Sequence, residues 1–232
     1  METVKQRLES LYSEFERARG PAWREHLTLV AVTKTVGPEE VRAAAACGVT
    51  DFGENRVQEL QRKIEALPDL SAKWHMIGHL QTNKVSQAVH HASMIHSVDS
   101  ERVGLEIERH ARQARRRYPL LLEVNVSGEA SKGGFSPDQV VRFVDDLARK
   151  DSVEPLSIVI EGLMTMAPFT DDEAVIRSVF RELRQIKESQ AKRQERFLDL
   201  KHLSMGMTND YRIALEEGST MLRLGTRIFG GD

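Results

Sequence analysis

The sequence predicts a (β/α)8 barrel of the TIM type, with one extra helix ahead of its first strand. Three observations predict it. Eight short apolar runs read as strands, segments of helical length separate them, and residues able to do chemistry collect where those runs end. Alternation alone does not report closure, so a doubly wound open sheet is the competing arrangement. No Pro/Gly/Ser-rich linker divides the 232 residues, and one domain spanning 1–232 is the expectation.

The N-terminal segment places Val4, Leu8, Leu11, Tyr12 and Phe15 at helical spacing, so residues 1–20 read as a helix packed on the barrel. After Gly20-Pro21 the period changes. Leu27–Val32 is a short continuous apolar run, as expected of a strand buried on both faces. Pro38-Glu39-Glu40-Val41 then starts a helix, with proline early and acids in the first turn. Further strands are expected at Asp51–Gly53, Trp74–Gly78, Met94–Val98, Leu120–Val126, Ile158–Met164, Asp199–Ser204 and Met221–Gly225. The helices between them fall at Arg56–Leu67, Asn83–His90, Glu101–Arg116, Pro137–Arg149, Asp172–Arg193 and Asn209–Glu216.

Composition removes several classes of function. Hydrophobic residues at 40% and charged residues at 29% suit a globular protein with a sizeable core. The net charge of −2, with no strongly basic half, argues against a dedicated nucleic-acid binder. The single cysteine, Cys47, closes an alanine-rich helix and reads as a small packed side chain. There is no signal-like apolar core near Met1, and no apolar stretch approaches the roughly 20 residues a membrane helix needs. A soluble cytoplasmic protein is expected.

In such a barrel, function gathers at the carboxyl ends of the strands. The first strand delivers Val32-Thr33-Lys34-Thr35 there. A lysine directly after an apolar run is expected to be partly desolvated, which favours the neutral amine that attacks carbonyls. By itself it also reads as a strand-end lysine that reaches out to solvent. Strand seven runs into Ser204-Met205-Gly206-Met207-Thr208-Asn209, where Thr208 or Asn209 is the expected helix cap, and strand eight into Gly225-Thr226. Both pair a hydroxyl with a glycine at the habitual phosphate position of the fold. An aldehyde held at Lys34 with its phosphate between Ser204 and Thr226 fits both ends. Arg223, inside an apolar run, needs a partner; it is either a structural ion pair or the neighbour of a pyridine nitrogen, which a guanidinium keeps unprotonated.

Several segments occur in order: Val32-Thr33-Lys34-Thr35, Phe52–Glu59, Trp74–Lys84, Glu123-Val124-Asn125-Val126, Lys132–Phe135, Gly162–Met166, Leu203–Met207 and Gly218–Gly230. From about residue 27 onward the chain thereby resembles the pyridoxal phosphate homeostasis protein family, which is itself similar to the N-terminal domain of alanine racemase. The resemblance implies a barrel that carries pyridoxal 5′-phosphate as a Schiff base on Lys34, without catalytic turnover, in vitamin B6 homeostasis. It also implies that Ser204, Gly225 and Thr226 hold the phosphate and that Arg223 faces the pyridine nitrogen. Asn55 and His79 would lie at the edge of the site, with Met164 and Met205 lining it. Apo forms of enzymes that use the cofactor are the expected recipients.

Two positions depart from the family pattern: Thr33 where serine is commoner, and His79 where proline is usual. The sequence reaches Asp232 directly after the last strand. No second domain is therefore expected to supply another acid/base, and a monomer is expected. Two enzyme readings stay beside the carrier: a racemase or lyase using Lys34 as its single base, and a Schiff-base aldolase acting on a phosphosugar. His75 and His79 are four apart, but on a strand-to-loop segment that spacing does not make a metal pair, so no metal is expected. Arg112, Arg115, Arg116 and Arg117 follow Glu106 and Glu108 and read as a solvated helix face.

Overall fold

The computed structural model describes residues 2–129 and 132–230, so Asp232 lies outside the described residues. Eight parallel strands close into a barrel in chain order. They are β1 (Thr28–Val32), β2 (Asp51–Glu54), β3 (Lys73–Met76), β4 (Met94–Val98), β5 (Tyr118–Glu123), β6 (Ile158–Met164), β7 (Leu198–Ser204) and β8 (Met221–Leu224). Closure is made by β1 on β8, with Thr28 opposite Met221 and Val30 opposite Arg223.

Ten helices are described: α1 (Val4–Arg19), α2 (Trp23–His26), α3 (Pro38–Ala46), α4 (Val57–Ala66), α5 (Val85–His91), α6 (Glu101–Gln113), α7 (Pro137–Val153), α8 (Glu173–Gln190), α9 (Tyr211–Glu216) and α10 (Thr226–Phe229). A 3-10 turn, Thr82–Lys84, precedes α5. The sequence reading missed the one-turn helices α2 and α10, which are too short to show a period. It ran β5 on through Val126, but the strand ends at Glu123 and Val124 makes a single bridge to Phe135.

The helices start where their sequences can satisfy free amides. Thr3 and Ser136 form reciprocal capping boxes with Gln6 and Gln139, and the Asp172 carboxylate accepts from Ala174 and Val175. Before α9 the expected cap is absent. Asp210 occupies the cap position, and its Oδ1 accepts from the Met207 amide instead.

Alternation along the strands separates two cores. Ile95, Leu120, Leu122, Leu163, Leu222 and Leu224 face outward into the layer shared with the helices. Met94, Leu121, Met164 and Met221 form a second, smaller cluster. Inside the barrel the strands also carry Asp51, His75, His96, Ser204 and Arg223, all buried.

α1 lies across the seam between the first and last strands. Its Leu8, Leu11 and Phe15 are fully buried, each contributing about 1.5–3 kcal/mol by transfer from water. Phe15 meets Trp23 edge-on at 5.1 Å. Glu14 accepts from the Tyr211 hydroxyl at 2.6 Å and from Arg227 at 2.9 Å, and Arg7 donates to the Thr226 carbonyl at 3.4 Å. Among the described residues, no helix is long and apolar enough to cross a membrane.

Candidate functional site

The strand ends bring together residues from distant parts of the chain. Lys34 sits in a turn directly after β1, closed by the Val36 amide donating to the Thr33 carbonyl at 3.1 Å. The turn carries its side chain out of the strand, and Lys34 is exposed. Partial desolvation by protein atoms, expected from the apolar run, is therefore not found.

The support beneath that turn is buried and charged. Thr33 donates its hydroxyl to Glu54 Oε1 at 2.6 Å and its amide to the Gly53 carbonyl at 3.0 Å. Lys63, from α4, donates to both the Thr33 carbonyl and Glu54 Oε1. The other Glu54 oxygen is buried without a partner. The sequence reading passed over Glu54 and Lys63; a lysine on the inward face of an amphipathic helix was the available signal.

The turn neighbours the loop after β8 because β1 and β8 pair. A Cβ placed on Gly225 would lie 3.3 Å from the Val32 carbonyl oxygen, so the two backbones approach closely. Thr226 begins α10, and its hydroxyl meets that of Thr208, from the loop after β7, at 2.9 Å. Lys34 and the two loops are thus neighbours around the rim, as closure of β8 on β1 requires. The Thr226 and Arg227 amides fall in the first turn of α10, where helical amides lack an intrahelical acceptor.

Arg223 points into the barrel and is 4% exposed. It donates through Nη1 to the Ser204 carbonyl at 2.7 Å and hydroxyl at 2.6 Å, and through Nη2 to the Thr165 carbonyl at 2.9 Å. Burial pushes its guanidinium down to about 10, against the opposing pull of Asp210 and Glu123. No carboxylate is within salt-bridge distance of it among the described residues, so the structural ion pair is not what holds it.

Two expected roles change. Ser204 Oγ is fully buried and engaged by Arg223 and by His96 Nδ1 at 3.0 Å, so the hydroxyl serves the barrel floor and does not reach into the phosphate loops. Met205 is fully buried in the layer between barrel and helices, because alternation turns it away from Ser204. Met164 stays in the interior cluster, 1% exposed.

Asn55 and His79 lie on the rim beyond β2 and β3 and line one cavity of about 440 Å³. Gly78 sits between them, and a Cβ there would fall 2.6 Å from Asn55 Cα. His79 Nδ1 pairs with Asp99 at 2.8 Å, while His75 Nε2 pairs with Asp51 at 2.9 Å inside the barrel. The two histidines thus go to different environments, because β3 ends at Met76 and His79 lies in the loop beyond it. Glu123 ends β5 nearby; burial, then the Asp99 charge, pushes its carboxyl up.

The fold and these rim residues define a barrel of the alanine racemase N-terminal type, and the model of the alanine racemase N-terminal domain family matches residues 7–232. Within that class the chain belongs to the family of pyridoxal phosphate homeostasis proteins. It is 40% identical to that protein of Aquifex aeolicus over 202 residues, 87% of this chain and 86% of the relative. It is 32% identical to that of Vibrio cholerae, with 99% and 97% covered.

Among solved structures, PipY of Synechococcus elongatus without PLP superposes with a TM-score of 0.87 at 34% identity, covering 98% of this chain and 100% of that one. The PLP-bound form of PipY gives 0.84. Alanine racemase from Streptomyces lavendulae shares the fold at a TM-score of 0.75 and 15% identity, covering 99% of this chain but 57% of the racemase.

Proposed function

We propose that this protein binds pyridoxal 5′-phosphate as a Schiff base on Lys34 and serves intracellular homeostasis of the cofactor without catalytic turnover. The observation that carries the reading is the β1–β8 seam. It brings the turn that carries the exposed Lys34 beside the Gly225-Thr226 turn, with the buried donor-only Arg223 on the floor below.

The donor set fits the group. Lys34 Nζ supplies the amine for an aldehyde, and the paired Thr208 and Thr226 hydroxyls with the first amides of α10 supply donors for a phosphate. Arg223 offers only N–H groups toward a ring nitrogen, so that nitrogen would keep its lone pair. When bound, the cofactor supplies an electrophilic carbonyl and a conjugated ring. This chain's contribution is to hold the phosphate, orient the ring and withhold a proton from its nitrogen, which weakens the ring as an electron sink. The exposure of Lys34 suits release and exchange with recipient apo enzymes. The PLP-bound relative and the shared family support the reading.

The test is an absorption spectrum of the purified protein and of Lys34→Ala, before and after borohydride, with a mass on each. A visible band lost in the variant, with a reduced pyridoxyl adduct on Lys34, is expected. Absence of band and adduct after incubation with pyridoxal phosphate would overturn the reading. Turnover is read separately, as exchange of the α-proton of alanine or serine in deuterated water, expected at background.

A further inference from the structure

The floor of the barrel holds a continuous line of hydrogen-bonding groups. Asp51 Oδ1 meets His75 Nε2 at 2.9 Å, and His75 Nδ1 meets His96 Nε2 at 2.9 Å. His96 Nδ1 then meets Ser204 Oγ at 3.0 Å, which meets Arg223 Nη1 at 2.6 Å. The groups come from β2, β3, β4, β7 and β8 and so cross the barrel interior. Ser204 and His96 have no exposed surface, and the two imidazoles stand nearly perpendicular at 88°.

Its two ends fix its direction. A guanidinium can only donate, so Arg223 gives a proton to Ser204 Oγ. Burial pushes the Asp51 carboxyl up, but bonds from His75 and Thr50 more than offset this and hold it below its ordinary value, so it accepts. Between these ends every proton has one place to go. Ser204 donates to His96 Nδ1, His96 Nε2–H donates to His75 Nδ1, and His75 Nε2–H donates to Asp51. The reverse polarity would leave the Ser204 hydroxyl proton without an acceptor in a site closed to water, and it would place an imidazolium in the interior. Burial, with the Arg223 charge beside it, holds His96 well below the usual histidine range, consistent with a neutral ring.

We propose that Asp51, His75 and His96 are positioning residues. They form a one-directional hydrogen-bond relay that orients Ser204 and, through it, Arg223, so that the barrel floor sets how tightly a pyridine ring is held at the mouth. The effect on the ring rests on the reading of Arg223 given above; the relay itself does not. Five polar groups are not needed to fill this space, since Met94, Leu121, Met164 and Met221 show that the same interior accepts apolar side chains. What the polar line adds is a single allowed orientation for Arg223, because a fully satisfied buried network admits one arrangement of donors.

The experiment uses the full chain, labelled with 15N, and reads imidazole and guanidinium nitrogens by long-range correlation. In the ligand-free protein both His75 and His96 are expected as neutral rings protonated on Nε2. Addition of 4′-deoxypyridoxine 5′-phosphate, which has ring and phosphate but no aldehyde, is expected to shift the His96 and Arg223 signals. Inorganic phosphate is expected to leave them in place. A proton on Nδ1 of either histidine, or no response to the ring ligand, overturns the proposal.

Variants add a second readout. His96→Leu should raise the Kd for the ring ligand on the order of tenfold, the size of one lost hydrogen bond. His96→Asn, whose Oδ1 falls near the Nδ1 position and still accepts from Ser204, should restore most of it. A lower Tm in both variants with an unchanged Kd would mean a purely structural role and sink the idea. Failure of the wild type to bind pyridoxal phosphate at all would defeat the proposed function instead, and the ligand-free tautomers would still decide the relay.

Discussion

Lys63 and Glu54 form an ion pair sealed beneath the turn that presents Lys34, with Glu54 fully buried and Lys63 7% exposed. Lys63 also donates to the Thr33 carbonyl, so one ammonium ties the α4 helix, the end of β2 and the Lys34 turn together.

Removing one partner of this pair leaves a buried charge alone. Lys63→Met is expected to lower unfolding free energy by about 3–5 kcal/mol, the range for orphaning a buried ion. Adding Glu54→Gln to it should recover most of the loss. Urea denaturation of the single and double variants checks this, and a double variant no more stable than Lys63→Met would contradict it.

Stability should fall on mild acidification. Burial pushes His202 from 6.5 down to about 4, and it pushes His96 in the same direction. Between those values the unfolded chain binds protons that the native protein does not, so stability declines as pH drops through that window and levels off below it. Each histidine adds a slope of at most about 1.4 kcal/mol per pH unit, less for His202, which keeps some contact with solvent. Denaturation curves across the window should be flatter for His202→Gln than for the wild type.

Gly78 holds Asn55 on the rim by having no side chain. With a Cβ 2.6 Å from Asn55 Cα, Gly78→Ala must displace the β2 loop, and overpacking of this kind costs about 1–3 kcal/mol. Thermal melting should show the loss, together with weaker binding of pyridoxal phosphate; an unchanged Tm would count against the clash.

The Thr208–Thr226 hydroxyl pair predicts a preference that depends on the phosphate. Thr226→Val should raise the Kd for pyridoxal phosphate on the order of tenfold while leaving that for pyridoxal nearly unchanged. Equal losses for both ligands would place the phosphate elsewhere.

The barrel was legible because most of its strands are buried on both faces and so stand out as apolar runs; Met94–Val98 and Ile158–Met164 match their observed bounds. The floor was not legible for the same reason read in reverse. His75, His96 and Asp51 are single polar residues inside such runs, and only period-two alternation shows that they share one face. The resemblance implies a place at the site for both Ser204 and Met205, whereas the strand sends one side chain to the floor and the other to the helix layer. Asn55 and His79 did reach a common cavity, since both follow strand ends on adjacent strands.

The seam has a consequence for how the molecule comes to exist. Arg7 and Thr226, in contact across it, are 219 residues apart along the chain. Contacts of such long range form late, since ordering the intervening chain must come before they repay it. Lys34 and the Gly225-Thr226 turn flank this same junction, so the two halves of the ligand site are made at opposite times during synthesis and meet only when the ring of strands shuts. A small molecule that grips both halves acts as a latch: it stabilises the shut form by mass action in proportion to its own abundance. The amount of closed barrel in a cell would then track the supply of the ligand itself.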